Sequence, residues 1–143
     1  MAIYGFDIDG VISKGFSFFG RNFELMVYQI LRVRFFRKIY DKFFRKVDAG
    51  VRKTIARLKS QGNKIVIISA NSENYREELE SWLKWNGVIF DKLILRENMK
   101  ESCQEYKGRM AQKERCVYYL EDRRRIVDYI NENSNCQAIL YKN

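Results

Sequence analysis

Residues 2–12 read Ala-Ile-Tyr-Gly-Phe-Asp-Ile-Asp-Gly-Val-Ile, an apolar run that stops at two carboxylates, Asp7 and Asp9, and a glycine, Gly10. Two acids at i and i+2 do not sit comfortably in a core, because an unpaired buried charge is very costly. A cation beside them removes the difficulty. Oxygen ligands at a strand end suit a hard divalent ion such as magnesium, which takes one or two carboxylates and keeps several waters. The apolar run itself has the form of a fully buried strand. In an open parallel sheet, ligands sit just beyond the carboxyl ends of the strands, which is where Asp7 would stand. Gly10 lets the chain bend sharply and lets backbone approach a bound anion. The competing interpretation is an acidic turn closing a hairpin, since Asp-Gly is a common turn pair. It requires a paired strand next, whereas the chain beyond the turn is patterned as a helix.

The elements that must position these acids come next along the chain. Residues 13–20, with Phe16, Phe18 and Phe19, have the character of a loop or flap. From 21 to 47, Met26, Ile30, Val33, Phe36, Tyr40, Phe43 and Val47 recur at spacings of three and four, the mark of a helix face. Arg34, Arg37, Lys38, Lys42, Arg45 and Lys46 make that segment strongly basic. Asp48 has the look of a cap or linker for a helix carrying Val51, Ile55 and Leu58, which Gly62 stops. A second apolar strand, 64–68, ends at Ser69. A helix is then expected from about Ala70-Asn71-Ser72 to Asn86, with Tyr75, Leu79, Trp82 and Leu83 inward and Gly87 at its end. Residues 88–90 and 92–95 supply a third strand region, 99–114 a polar helix, 116–120 another strand that ends in Glu121 and Asp122, 123–133 a last helix and 137–141 a last strand.

Strands alternating with helices imply a parallel sheet with right-handed crossovers, an α/β Rossmann-like layering in one domain spanning 1–143. Three strand ends then bring polar groups to one rim: Asp7 and Asp9, Ser69, and Glu121 with Asp122. The bulk numbers are those of a soluble globular chain, with 46% apolar and 15% aromatic residues. Histidine is absent, which excludes His-based triads, general bases and metal ligands. The three cysteines, Cys103, Cys116 and Cys136, have no CxxC spacing, and their odd number argues against a secreted disulfide framework. No apolar run approaches the roughly 18 residues of a membrane span, and no signal peptide precedes the first strand, so a cytoplasmic location is expected. A net charge of +9 favours acidic partners: phosphorylated small molecules, nucleic acid or anionic lipid.

Taken together, the strand-end motifs resemble the haloacid dehalogenase superfamily of phosphatases. Asp7-Ile8-Asp9-Gly10-Val11 resembles its first motif, Ile65-Val66-Ile67-Ile68-Ser69 its second and Tyr118-Tyr119-Leu120-Glu121-Asp122 its fourth. The third, a lone lysine before that last strand, is best matched by Lys107, with Lys100 and Lys113 as competitors. The local sequence around Ser69-Ala70-Asn71, Trp82-Leu83, Phe90-Asp91-Lys92-Leu93 and Glu121-Asp122-Arg123 is similar to the small phosphatase domains of polynucleotide kinase-phosphatases. The resemblance implies a magnesium-dependent phosphomonoester hydrolase working through an aspartyl-phosphate. Asp7 would be the nucleophile and Asp9 the general acid and base. Asp7, Asp9 (through its backbone carbonyl) and Asp122 would hold Mg2+, with Glu121 ligating through a water or standing behind. Ser69, Ala70 and Lys107 would bind phosphate.

In this superfamily the region after the first motif carries caps that govern substrate access; here residues 13–47 suffice only for a small helical flap, which implies an open site. The expected substrate is a phosphorylated small molecule or a nucleotide or polynucleotide end. The basic aromatic face of 21–47 has three uses open to it: packing on the domain or on a second copy, gripping nucleic acid, or, less favoured, lying on an anionic membrane surface. The alternative function is a phosphatase-like scaffold that binds nucleic acid or anionic lipid through that helix, with little catalysis.

Overall fold

The computed structural model describes residues 1–14 and 45–142. Its frame is a five-stranded, wholly parallel sheet made of β1 (Ile3–Phe6), β4 (Lys64–Ser72), β5 (Lys92–Arg96), β6 (Tyr118–Glu121) and β7 (Gln137–Leu140), in the spatial order β5-β4-β1-β6-β7. The first strand is thus the middle one. A parallel sheet must be covered on both faces, and the continuous apolar run of β4 meets that demand by alternation. Ile65 and Ile67 face Phe6, Val51, Ile55, Leu79 and Leu83, the layer of α1 (Ala49–Ser60) and α2 (Arg76–Trp85). Val66 and Ile68 face Tyr106, Met110, Tyr119, Ile126 and Ile130, the layer of α3 (Cys103–Lys113) and α4 (Arg124–Asn133).

Four local expectations are corrected. The 88–90 stretch is not a strand. Gly87 takes a positive φ of 68°, Val88 N–H closes back onto Leu83 C=O at 3.0 Å, and Val88 is buried as the plug of the helix end. β4 does not stop at Ser69 but runs to Ser72, with an irregularity between Ile68 and Ser72. Ser72 accordingly caps the short 3-10 turn Glu73–Tyr75, accepting from Asn74 N–H, and α2 begins only at Arg76. The polar helix begins at Cys103 rather than 99, because Ser102 and Glu105 form a reciprocal capping box there. Finally, Ser13–Lys14 (β2), expected in a loop, pairs antiparallel with Lys46–Val47 (β3), expected at the end of a helix. A strand therefore does succeed the Asp-Gly turn, but it pairs with the returning limb instead of β1. Val47 packs against the core from there, which fixes the two ends of the insertion side by side. The flap expected at 13–47 and the basic helix expected at 21–47 otherwise lie outside the described residues. Among the described residues no helix is long and apolar enough to cross a membrane, and the three cysteines are free.

Asp48 is the N-cap of α1, as its position in the sequence suggests. Its carboxylate accepts from Val51 N–H at 2.9 Å and lies 3.2 Å from the Lys14 ammonium. Burial pushes its carboxyl up, but the Val51 N–H, Lys14 and Tyr141 outweigh that and hold it below its ordinary 3.8. Asp48→Ala is expected to destabilise the fold by about 1–2 kcal/mol in urea unfolding at neutral pH, and Asp48→Asn by much less. Because the folded-state pKa is depressed, the charge-dependent part is fully present above 3.8 and is lost as pH falls below it. The gap between wild type and Asp48→Ala should narrow in acid.

Candidate active site

The sheet register sets the site. Phe6 is level with Ile67 on one side and Leu120 on the other, so the next residue of each strand, Asp7, Ile68 and Glu121, lies at the carboxyl rim. Asp7 N–H still reaches Leu120 C=O at 3.0 Å, which holds the acid in line with β1. Tyr119 donates its hydroxyl to Ile68 C=O at 2.8 Å across the strand ends, and its ring packs where Gly5 has no Cβ.

Lys107 projects from α3 into this rim and is 3% exposed. Its ammonium lies 2.8 Å from Asp7 Oδ2 and 2.6 Å from Glu121 Oε2. Of the three competing lysines, Lys100 and Lys113 are exposed and Lys107 alone stands at the acids. Glu121 is wholly buried, with Oε2 on Lys107 and Oε1 accepting from Arg123 N–H. Its place is behind the lysine, holding it.

Asp122 comes from the first residue after β6. One carboxylate oxygen each from Asp7, Glu121 and Asp122 lie within 4.8 Å of one another. Gly10 makes that approach feasible. It has φ +84°, and a Cβ there would stand 2.0 Å from Asp122 Oδ2. Oxygen-only donors of this number and spacing suit a hard divalent cation.

The electrostatics point the same way. Burial pushes the Asp7 carboxyl up to about 6; Lys107 opposes the rise, while Asp9 and Asp122 add to it. Burial and the Asp7 charge push Glu121 up to about 8 against the pull of Lys107. Burial would lower Lys107, but Asp7 and Glu121 outweigh it and keep the ammonium charged. One lysine thus stands among more negative charge than it can neutralise, and the surplus is what a bound cation would relieve.

Asp9 stands outside the trio. Its Oδ2 accepts from Asn71 Nδ2 at 2.7 Å and its Oδ1 from Arg45 Nη2 at 2.5 Å. Asn71 Nδ2 also reaches Ser69 Oγ at 2.8 Å, so the irregular end of β4 ties Ser69 to Asp9. Ser69 is wholly buried and caps no helix, that duty having passed to Ser72. Ala70, half-buried, lies between Ser69 and Asn71 in the same irregular stretch. A backbone irregularity beside a site re-aims side chains in this way. Asn71 and Arg45 are functional candidates that sequence reading misses. Asn71 has the appearance of one more helix cap, and Arg45 of one more surface cation in a basic run; only the fold buries the Arg45 side chain to 3% exposure.

No protein-family model matches the chain, and no curated protein matches it in sequence. Solved structures do. A chain of the Pnkp1/Rnl/Hen1 RNA repair complex superposes with a TM-score of 0.73 at 20% identity, over 98% of this chain and 42% of that one. A Thermotoga maritima protein described as a beta-phosphoglucomutase gives 0.69 at 15% identity, over 100% of this chain and 88% of its own. The fold is haloacid dehalogenase-like. The D,D-heptose 1.7-bisphosphate phosphatase from B. bronchiseptica, solved with magnesium and phosphate, shares that haloacid dehalogenase-like frame at a TM-score of 0.57 and 13% identity, over 98% of this chain and 80% of its own. The chain spans less than half the length of the RNA-repair chain that it resembles.

Proposed function

We propose that this chain is a magnesium-dependent phosphomonoester hydrolase that works through an aspartyl-phosphate on Asp7. The observation that carries the reading is the meeting of Asp7, Asp122 and the buried Lys107 at the carboxyl end of the central strand. Asp7 and Asp122 would hold the ion with their carboxylates and Asp9 with its backbone carbonyl. A bound divalent ion supplies the positive charge that lets a phosphate dianion approach a carboxylate.

The remaining chemistry belongs to the chain. Asp7 attacks phosphorus, forming the acyl phosphate as the P–O bond to the leaving group breaks. Asp9 gives its proton to the departing oxygen and takes one back from the water that later attacks the acyl phosphate. Lys107, oriented by Glu121, and the hydroxyl of Ser69, with Ala70 beside it, stabilise charge on the transferred oxygens. The substrate class is a phosphorylated nucleotide or polynucleotide end. That choice rests on the net charge of +9 and on the likeness to a chain of an RNA repair complex.

A panel of para-nitrophenyl phosphate, phosphorylated metabolites and 3′- or 5′-phosphorylated oligonucleotides tests both levels. Hydrolysis is expected with added Mg2+, is lost on chelation with EDTA, and is restored by Mg2+. Oligonucleotide ends should exceed the metabolites in kcat/KM by about tenfold or more, the worth of one good charge-assisted contact. Phosphate release that survives chelation, or no release from any substrate, would contradict the reading.

A further inference from the structure

We infer that Arg45 is the positioning residue of the acid–base group: its guanidinium holds Oδ1 of Asp9, so that Oδ2 takes up the proton that is delivered to the leaving oxygen. The inference rests on the phosphatase function proposed for Asp7 and assigns a part to a residue outside the strand-end motifs. Among the described residues, four contacts fix Arg45. Its Nη2 binds Asp9 Oδ1 at 2.5 Å, its Nε donates to Ser13 Oγ at 3.0 Å, and its Cζ lies 4.7 Å over the Trp82 ring. Its backbone carbonyl accepts from Trp82 Nε1–H at 3.1 Å. Ring and guanidinium therefore lock one another, with α2 supplying the platform.

The arrangement matters because the Asp9 side chain is partly open to solvent. It is 43% exposed, whereas that of Arg45 is 3% exposed. A half-exposed carboxylate samples several rotamers unless something rigid holds it. Arg45 from β3's approach fixes Oδ1; Oδ2, which accepts from Asn71 of β4 while ionised, is the oxygen that carries the proton once a phosphate dianion is bound beside it. Proton transfer requires its acid within hydrogen-bond reach of the leaving oxygen, and small misplacements are expensive. Arg45 reaches Asp9 from the residue next to β3. It thereby ties the geometry of that strand to the chemistry.

The test uses leaving groups of different basicity. An alkyl phosphate leaves as a strongly basic alkoxide and needs the proton; 2,4-dinitrophenyl phosphate leaves as a stable phenolate and does not. The quantity measured is kcat/KM, which reports phosphoryl transfer to Asp7 and not the later hydrolysis. Arg45→Met is expected to lower kcat/KM about 100-fold on the alkyl phosphate and by no more than about threefold on the dinitrophenyl ester, the span being the usual worth of general acid catalysis. Arg45→Lys, which keeps the charge but not the fork, should recover about a tenth of wild-type activity on the alkyl ester. Equal losses on both esters would mean a merely structural role and would overturn the inference, as would no loss on either. Asp7→Asn, run alongside, separates the two levels: turnover retained there would overturn the phosphatase reading itself. An inactive Asp7→Asn with an Arg45→Met indifferent to leaving group would overturn the Arg45 assignment alone.

Discussion

Asp7→Asn is expected to cut turnover of any phosphomonoester by at least about 10⁴-fold, the scale seen when a covalent nucleophile is removed, while leaving the fold intact. The substitution is isosteric, so the Leu120 C=O bond to the backbone of residue 7 and the packing of the rim survive. An amide nitrogen or oxygen is far too weak a nucleophile to form the acyl phosphate. Stability should move the other way. In the metal-free protein Asp7 is a buried carboxylate whose pKa is raised to about 6, first by burial and then by Asp9 and Asp122. A raised folded-state pKa means that the folded state binds the extra proton and loses stability as pH climbs from the ordinary 3.8 through that value. Neutralising the side chain removes that penalty. At neutral pH without metal, Asp7→Asn should melt at or above the wild-type temperature, and added Mg2+ should raise its Tm less than it raises that of wild type. Inactivity at undiminished stability is the signature of a strained, functional acid.

The second large effect is expected at Lys107, and there activity and stability should fall together. Lys107→Met leaves Asp7 and Glu121, both buried, facing one another without the ammonium that separates them. Removing one partner of a buried ion pair costs about 3–5 kcal/mol, a large part of the roughly 5–15 kcal/mol that holds a domain of ordinary stability. Urea unfolding reads that loss directly. The double variant Lys107→Met/Glu121→Leu removes one of the two stranded acids and leaves Asp7, so it should regain part of the stability, since apolar groups often replace a buried charge without loss. It should not regain activity. In the proposed reaction the missing cation would face the transferred oxygens, and such donors are worth about 10²–10³ in kcat. A double variant that recovered both would show that Lys107 serves packing alone.

What the sequence makes legible depends on the range of the cause. Two strand ends are plain in the sequence, because an apolar run that stops dead at Asp7 or at Glu121-Asp122 is a local pattern with a local reason. Their convergence followed from parallel strands, and the 4.8 Å spacing of the three carboxylates agrees with it. Lys107 stood out by context among three lysines, and its burial between two acids agrees with that choice. The parts that were not legible come from tertiary pairing. The continuation of β4 to Ser72 is set by the pairing of Ser72 with Arg96, which no pattern within residues 64–72 announces. The pairing of Ser13–Lys14, patterned as loop, with Lys46–Val47, at the end of a helical period, joins two stretches far apart in the chain, which no local pattern announces. Arg45 is the extreme case. In the sequence it is one cation in a basic run, and the surface it lies on is Trp82, from a helix far along the chain.

The central claim is a covalent bond between phosphorus and Asp7. Rapid acid quench of the Mg2+-loaded enzyme during turnover, followed by borohydride reduction and peptide mapping, tests it directly. An acyl phosphate is reduced to homoserine, so the predicted result is homoserine at position 7, dependent on substrate and absent from Asp7→Asn. Turnover that proceeds at full rate with aspartate recovered intact at position 7 throughout would contradict it.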